Sequence, residues 1–241
     1  MATMAALSVV KARSGMKVAA VVDDWPRGEM SPRGHIVDVL GEPGENDTEM
    51  HAILAEYALP YRFESEVANA ADRISEEITE EDIKSRRDFR QTLTFTIDPA
   101  DAKDFDDALS IRKTDDGFWE VGVHIADVSH FVLPGSAIDR EARKRSTSVY
   151  FADRVVPMLP DELCNGVCSL VPNEDRLAFS VFMTFDGTGA MIKRSFAKSV
   201  IRSKARFTYE QVMRVISSGD KSKDKSVSAQ ARKTILAVNA L

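Results

Sequence analysis

LTFTIDPADAKDFDDALSIRKTDDGFWEVGVHI, residues 93–125, decides the fold class. Its apolar residues fall into three short runs, LTFTI, ALSIRK and FWEVGVHI, separated by an acidic loop and then by TDDG at 114–117. A terminal glycine in such a loop supplies the left-handed conformation that joins neighbouring antiparallel strands. Two longer runs, LAFSVFMTF (177–185) and MIKRSFAKSVIRSK (191–204), repeat the pattern around FDGTG at 185–189. An antiparallel sheet is therefore expected. Helices interrupt or follow it. Residues 136 to about 145 open with S-A-I-D, Thr208 stands three residues before Gln211, both capping-box spacings, and 226–240 reads as one more helix. The fold class is α+β, an antiparallel sheet with flanking helices.

Upstream, MKVAAVVDDW and HIVDVLG flank the turn-prone PRGEMSPRG, so residues 16–40 read as a hairpin. A lone hairpin is marginal in water, and this one must pack on the next part of the chain or belong to a larger barrel. Residues 49–57 and 64–74 read as short amphipathic helices. SEEITEEDIKSRRDFRQ (75–91) then reads as a solvated connection, and SSGDKSKDKSVS (217–228) as a polar loop.

The 241 residues are 44% hydrophobic and 29% charged, with a net charge of −6. This is globular composition, which excludes disorder throughout. Charges interrupt every apolar run long before the roughly 20 residues a membrane span needs, so no membrane association is expected. The acidic balance argues against indiscriminate coating of nucleic acid, though not against a local basic track. Cys164 and Cys168, in CNGVC with no histidine nearby, suggest neither a disulfide framework nor zinc. They read as reduced core or turn residues, and a cytoplasmic protein is the default. The acid-free opening MATMAALSVVKARSGMK leaves an organelle-targeting reading open, but shows no cleavage pattern.

The densest chemical signal is DPADAKDFDD, residues 98–107, with five carboxylates and one lysine between two strands. Converging carboxylates repel one another until a proton or a cation relieves them. Oxygen donors without His or Cys select a hard divalent ion. An EF-hand is a poor match: counted from Asp98, position 6 is Lys103 rather than glycine and position 12 is Leu109 rather than glutamate. A D-x-D-x-T phosphatase motif fails for want of the threonine. A Mg²⁺ site that also engages substrate phosphate is the reading that remains, with Asp101 the acid best explained as plain surface.

TIDPADAKDFDDALS (96–110), VGVHIADVSHFV (121–132), RSTSVYFADRVVPMLPDELCNGVCSLVPNEDRLAFSV (145–181) and SKARFTYEQV (203–212) occur in that order. Together they resemble the catalytic RNB domain of the ribonuclease II and ribonuclease R family, over roughly residues 85–241. MKVAAVVDDWPRGEMSPRGHIVDVLG (16–41) resembles, more weakly, the end of the cold-shock, OB-type domain that precedes it in that family. The implied organisation is an N-terminal extension (1–15), a partial OB-type segment (16–60), a helical linker (61–84) and the N-terminal part of an RNB domain (85–241).

The resemblance implies Mg²⁺-assisted 3′-to-5′ hydrolysis of single-stranded RNA to nucleoside 5′-monophosphates, with Mn²⁺ as an alternative ion. Asp98, Asp104, Asp106 and Asp107 match the family's four acids. Asp98 and Asp107 are the clearest metal ligands, Asp106 is the residue most critical to chemistry, and Asp104 supports the shell. Tyr150 and Tyr209 fall where the family contacts and stacks on the last nucleotides. Beside them, residues 191–206 carry six basic residues and no acid. On one strand, Lys198, Arg202, Lys204 and Arg206 would share a face able to pair with phosphates. EARKRS (141–146) reads as an exposed helix side. His124 and His130 lack a partnered nucleophile and read as structural, with Asp127 between them a candidate brace for the acidic loop. The family's catalytic domain continues beyond the region matched here, so the isolated chain is expected to be impaired. Its partners would be RNA and either the remaining half of the enzyme or RNA-decay proteins. The alternative is a non-catalytic RNA-binding or interaction fragment.

Overall fold

The computed structural model describes residues 12–219 and 227–240. The first eleven residues, most of the polar loop after Ser218, and Leu241 lie outside them. No described helix is long and apolar enough to cross a membrane. The chain divides into two compact units, one formed by residues up to Asn69 together with Glu141–Met158, the other by Ala70–Arg140 and Leu159 onward.

In the first unit, β1 (Lys17–Asp24) and β2 (Arg33–Gly41) form the expected antiparallel hairpin, with irregular register. It is followed by α1 (Asn46–Glu56) and by α2 (Ser65–Ala71), which runs on into the second unit. Helix α1 packs on both strands, and Lys17 pairs with its Glu49. Gly41 has φ of 131°, and a Cβ there would lie 2.3 Å from the Thr48 hydroxyl, so strand meets helix only through glycine. The Tyr61 hydroxyl donates to Asp38, and burial followed by that carboxylate pushes its pKa up to about 12.

The segment 141–158 belongs to this unit through specific contacts. Asn46 donates to Asp153 (2.8 Å), and Arg154 pairs with Asp47 (2.6 Å). The Arg145 side chain is buried over the Phe63 ring and donates to Glu141, to Pro157 O and to Arg62 O. The expectation of an exposed helix side over 141–146 is therefore wrong for Glu141 and Arg145, because a buried guanidinium needs this ring of acceptors.

The second unit contains α3 (Glu80–Lys84), β3 (Arg87–Asp88), β4 (Thr94–Asp98), β5 (Asp107–Lys113), β6 (Trp119–Ala126) and α4 (Val128–Phe131). Helix α5 (Ala137–Arg145) leads into the first unit, where β7 (Val149–Tyr150) pairs with β8 (Val155–Val156). A kinked helical turn over Glu162–Val167 precedes β9 (Asp175–Phe185), β10 (Met191–Arg202), β11 (Ala205–Thr208), α6 (Tyr209–Ser218) and α7 (Ala229–Ala240).

Seven strands form one sheet in the order β11-β4-β5-β6-β9-β10-β3. The run from β4 to β10 is antiparallel, and Gly117 and Gly189 take the left-handed turns. Both edge pairs, β11 with β4 and β3 with β10, are parallel. Hairpin signals are local and cannot announce such pairs, whose strands are far apart in sequence. Helices α6 and α7 cover β11, β4 and β5, burying Phe95, Phe207, Val212, Val215, Ala231 and Ile235. Thr208 and Gln211 form the expected capping box. Ile125 and Phe179, directly paired across β6 and β9, remain 45% and 44% exposed, and Phe196 on β10 is 61% exposed.

Candidate functional site

Strand β4 ends at Asp98 and β5 begins at Asp107, so the eight residues between them form a loop at one end of the sheet. Pro99 cannot donate to a ladder, which ends β4 there. The register sets Arg206 beside Thr96 and Thr208 beside Asp98, bringing Tyr209, the first residue of α6, next to the loop. The Tyr209 side chain is 54% exposed.

The loop is anchored at several points. Phe105 is buried among its neighbours. Its N–H donates to Ser169 Oγ (3.1 Å), and that hydroxyl donates to Lys103 O (2.8 Å). Leu170 N–H donates to Phe105 O, and Ala126 N–H donates to Asp106 O, both at 2.9 Å. On the other side Arg206 donates through Nη2 to the carbonyls of Pro99 and Ala100, with its guanidinium 5.2 Å from the Phe105 ring centroid.

These anchors keep the carboxylates near enough to influence one another. Asp98 is buried at 7% exposure, and its Oδ2 has no hydrogen-bond partner. Burial raises its pKa, Asp107 and Asp104 add to the rise, and Thr96 and Arg206 oppose it. The Thr96 hydroxyl favours the anion from two residues back on the strand, yet it completes no hydrogen bond to it. Asp106 presents surface to solvent, but the protein atoms crowded around it, then Asp104, Asp107 and Asp98, raise its pKa as well. Asp101 is exposed.

Four acids therefore share one neighbourhood, in which Asp104 and Asp107 add to the cost of ionising Asp98, and these three add to that of Asp106. They are not closed into a ligand sphere: among the described residues no three His, Cys, Asp or Glu side chains stand together as a metal-holding group. The donor set, all hard oxygen, and the orphaned Asp98 oxygen fit a divalent cation.

The basic row is not one face. Lys198 and Arg202 lie on β10, Lys204 in the two-residue link, and Arg206 on β11 at the opposite end of the strand order. The break falls where Thr94 holds both sides of the link, its hydroxyl donating to Arg202 O and its carbonyl accepting from Lys204 N–H. Arg202 pairs with Asp175 at 2.6 Å, and the Lys198 ammonium stands 3.9 Å from Asp127. Tyr150 lies in the first unit, on β7, and is 67% exposed.

Asp127 does not brace the acidic loop. Its carboxylate, 3% exposed as a residue, sits 2.7 Å from Arg86 and accepts from the Ser129 hydroxyl. Despite its burial these partners hold its pKa below the usual carboxylate range. His124 is wholly buried between Ser110 (2.9 Å) and Ser180 (2.7 Å), and Ser180 contacts Ser199 (2.6 Å), a polar chain across four strands. Burial lowers its pKa to about 4, so it is neutral and structural. His130 lies between Arg86 (3.4 Å) and Asp82 (3.7 Å). Cys164 and Cys168 are free thiols, and burial pushes their pKa values up to about 11 and about 12. Ser169 and the buried Arg86 carried no signal in the sequence, since each acts through partners 40 or more residues away.

The cold shock domain family model matches residues 6–64, and the RNB domain family model matches residues 86–240. Ribonuclease R of Aquifex aeolicus is 44% identical over 206 residues, covering 86% of this chain and 29% of that protein. The exosome complex exonuclease RRP44 of Mus musculus is 41% identical over 218 residues, 90% of this chain and 23% of the other. The chain thus spans less than a third of the length of these relatives. Mycoplasma genitalium RNase R, solved in complex with double-stranded RNA, superposes with a TM-score of 0.83 at 28% identity, over 96% of this chain and 40% of that one. Yeast Ssd1, described as a pseudonuclease, superposes with a TM-score of 0.64 at 26% identity, over 83% of this chain and 25% of that one. The RNB match takes in most of the chain, including the acidic loop, the sheet behind it and both covering helices, and by that extent the chain belongs to the RNB domain family.

Proposed function

We propose that this chain carries the acidic, metal-holding part of a 3′-to-5′ exoribonuclease site that releases nucleoside 5′-monophosphates from single-stranded RNA. The observation that carries the reading is the acidic loop itself, four mutually repelling aspartates with a buried Asp98 oxygen that no protein donor satisfies. Asp98, Asp104, Asp106 and Asp107 would hold Mg²⁺, or Mn²⁺ in its place. The ion supplies neutralisation of phosphate charge and acidification of water. The chain's own share is to hold the backbone of the acidic loop in place, through the anchors at Ser169, Phe105 and Arg206, while an ion bound there would offset the cost of ionising Asp98 and Asp106. Tyr209, exposed beside the loop, offers a ring on which a terminal base stacks regardless of its identity, a contact of about 1–3 kcal/mol. Tyr150 is proposed for a second such contact, and Lys198 and Lys204 for phosphates.

The uncovered Ile125, Phe179 and Phe196 support a further partner, the remaining part of the catalytic domain, alongside RNA-decay proteins. A pseudonuclease among the relatives keeps alive a reading as a non-catalytic RNA-binding fragment, but the intact acid cluster favours hydrolysis.

The test is degradation of a 5′-labelled single-stranded oligoribonucleotide by the purified chain with Mg²⁺, beside EDTA and Asp106→Asn. A ladder shortening from the 3′ end that is lost in both controls supports the reading. RNA binding by the folded chain without cleavage favours the non-catalytic one.

A further inference from the structure

The sequence places Arg206 in a basic run that reads as a phosphate track, yet the fold turns its guanidinium back onto the protein. Its Nη2 donates to two successive carbonyls, Pro99 O and Ala100 O, the first residues after Asp98. Its planar group lies against Phe105, whose ring is buried under the loop's other end. Ser169 grips that other end, accepting from Phe105 N–H and donating to Lys103 O with a hydroxyl that is wholly buried. Two side chains, Arg206 from β11 and Ser169 from the turn before β9, therefore hold the loop at 99–100 and at 103–105, a span that contains Asp104 and is flanked by Asp98 and Asp106.

We propose that Arg206 and Ser169 are positioning residues that clamp the acidic loop, and that Arg206 serves the loop backbone rather than an RNA phosphate. The link to metal rests on the function proposed above, whereas the clamp itself does not. Its physical basis is that four like charges drive a loop apart, so their approach must be imposed from outside the cluster. A carbonyl-directed arginine does this without adding another acid, and its charge offsets the repulsion close to Asp98. Lysine, with a point charge and no fork, holds two adjacent carbonyls less well.

The test uses the whole chain as Arg206→Gln, Arg206→Lys and Ser169→Ala. Amide hydrogen exchange by mass spectrometry is followed in EDTA for peptides spanning 99–107. Mn²⁺ affinity is followed by electron paramagnetic resonance, and binding of a fluorescent single-stranded oligoribonucleotide in EDTA as a function of salt. For Arg206→Gln we expect about tenfold faster exchange in the loop peptides, with those of β6 and β9 unchanged. Mn²⁺ affinity falls about tenfold, and Arg206→Lys lies between the variant and the parent. The salt dependence of RNA binding stays as in the parent.

Unchanged loop exchange, with a salt slope smaller by about one, would overturn the proposal and make Arg206 a phosphate ligand. Faster loop exchange in a chain whose parent takes up no Mn²⁺ would keep the clamp and remove the metal reading. If Ser169→Ala fails to fold, the two Arg206 variants decide the question.

Discussion

Asp98 and Asp127 are both buried aspartates of the same unit, 7% and 3% exposed, and their chemistry is opposite. Asp127 has Arg86 at 2.7 Å, Lys198 at 3.9 Å and the Ser129 hydroxyl, and its pKa is lowered. Asp98 has a buried oxygen without a donor, other aspartates for company, and a raised pKa. Burial and an Oδ2 outside any hydrogen bond are common to the two, so the neighbouring charges, cations for Asp127 and aspartates for Asp98, make the difference. The interior of the sheet repeats the first pattern in neutral form, with His124 held between serines. The acidic loop is where the fold leaves charge unmatched, and that unmatched cluster beside an exposed tyrosine is the feature on which the proposed cation and RNA binding rests.

The contrast can be broken by mutation or pH, and the largest effect is expected at the matched aspartate. Asp127→Ala leaves Arg86 buried without its counter-ion and should cost about 3–5 kcal/mol in urea-melt stability. A value near zero would show that Asp127 and Arg86 are not a unit.

His124 comes next. Its pKa lies near 4 in the folded chain against an ordinary 6.5, so between these values the unfolded chain binds more protons. Stability must therefore fall as pH falls from about 6.5 to about 4, by roughly 3 kcal/mol, and His124→Gln should flatten that part of the profile. The two aspartates have opposite signs. Asp127 contributes stability that is lost as pH drops through its lowered value. Asp98 instead weakens the fold as pH rises from the ordinary aspartate range through its raised one.

The third expectation sharpens the metal side. Mn²⁺ at about 100 times its dissociation constant should stabilise the chain by about 2.7 kcal/mol. Asp98→Asn should lose most of that gain while being no less stable than the parent in EDTA, and a variant equally stabilised by Mn²⁺ would remove Asp98 from the site. The smallest effect belongs to Lys198, whose exposed ammonium makes a loose pair. Lys198→Met should change stability by less than about 1 kcal/mol, while lowering the salt slope of RNA binding by about one if Lys198 meets a phosphate.

Much of this was legible before the chain is folded. The hairpin glycines Gly117 and Gly189, the alternating strands and the Thr208–Gln211 cap are local devices, set by conformational preference over a few residues. The carboxylate density of residues 98–107 announced the candidate site for a similar reason, because five acids in ten residues need no fold to be conspicuous. Local pattern misled where a side chain answered to distant partners. Arg145 looked solvated and is buried over Phe63, Asp127 looked like a brace for the loop and is paired with Arg86, and the basic run after Met191 looked like one face and is split between β10 and β11.

What the sequence alone determined is thus the class of fold, the place of the acidic loop between two strands, and the oxygen-rich chemistry of that loop. Tertiary structure decided which charges are matched. The parallel register of β11 on β4 brings Arg206 and Tyr209 to Asp98, and packing from over 60 residues away sets Ser169 under Phe105. The energy of a buried charge depends on what stands within a few ångströms of it, and only the completed fold supplies those neighbours.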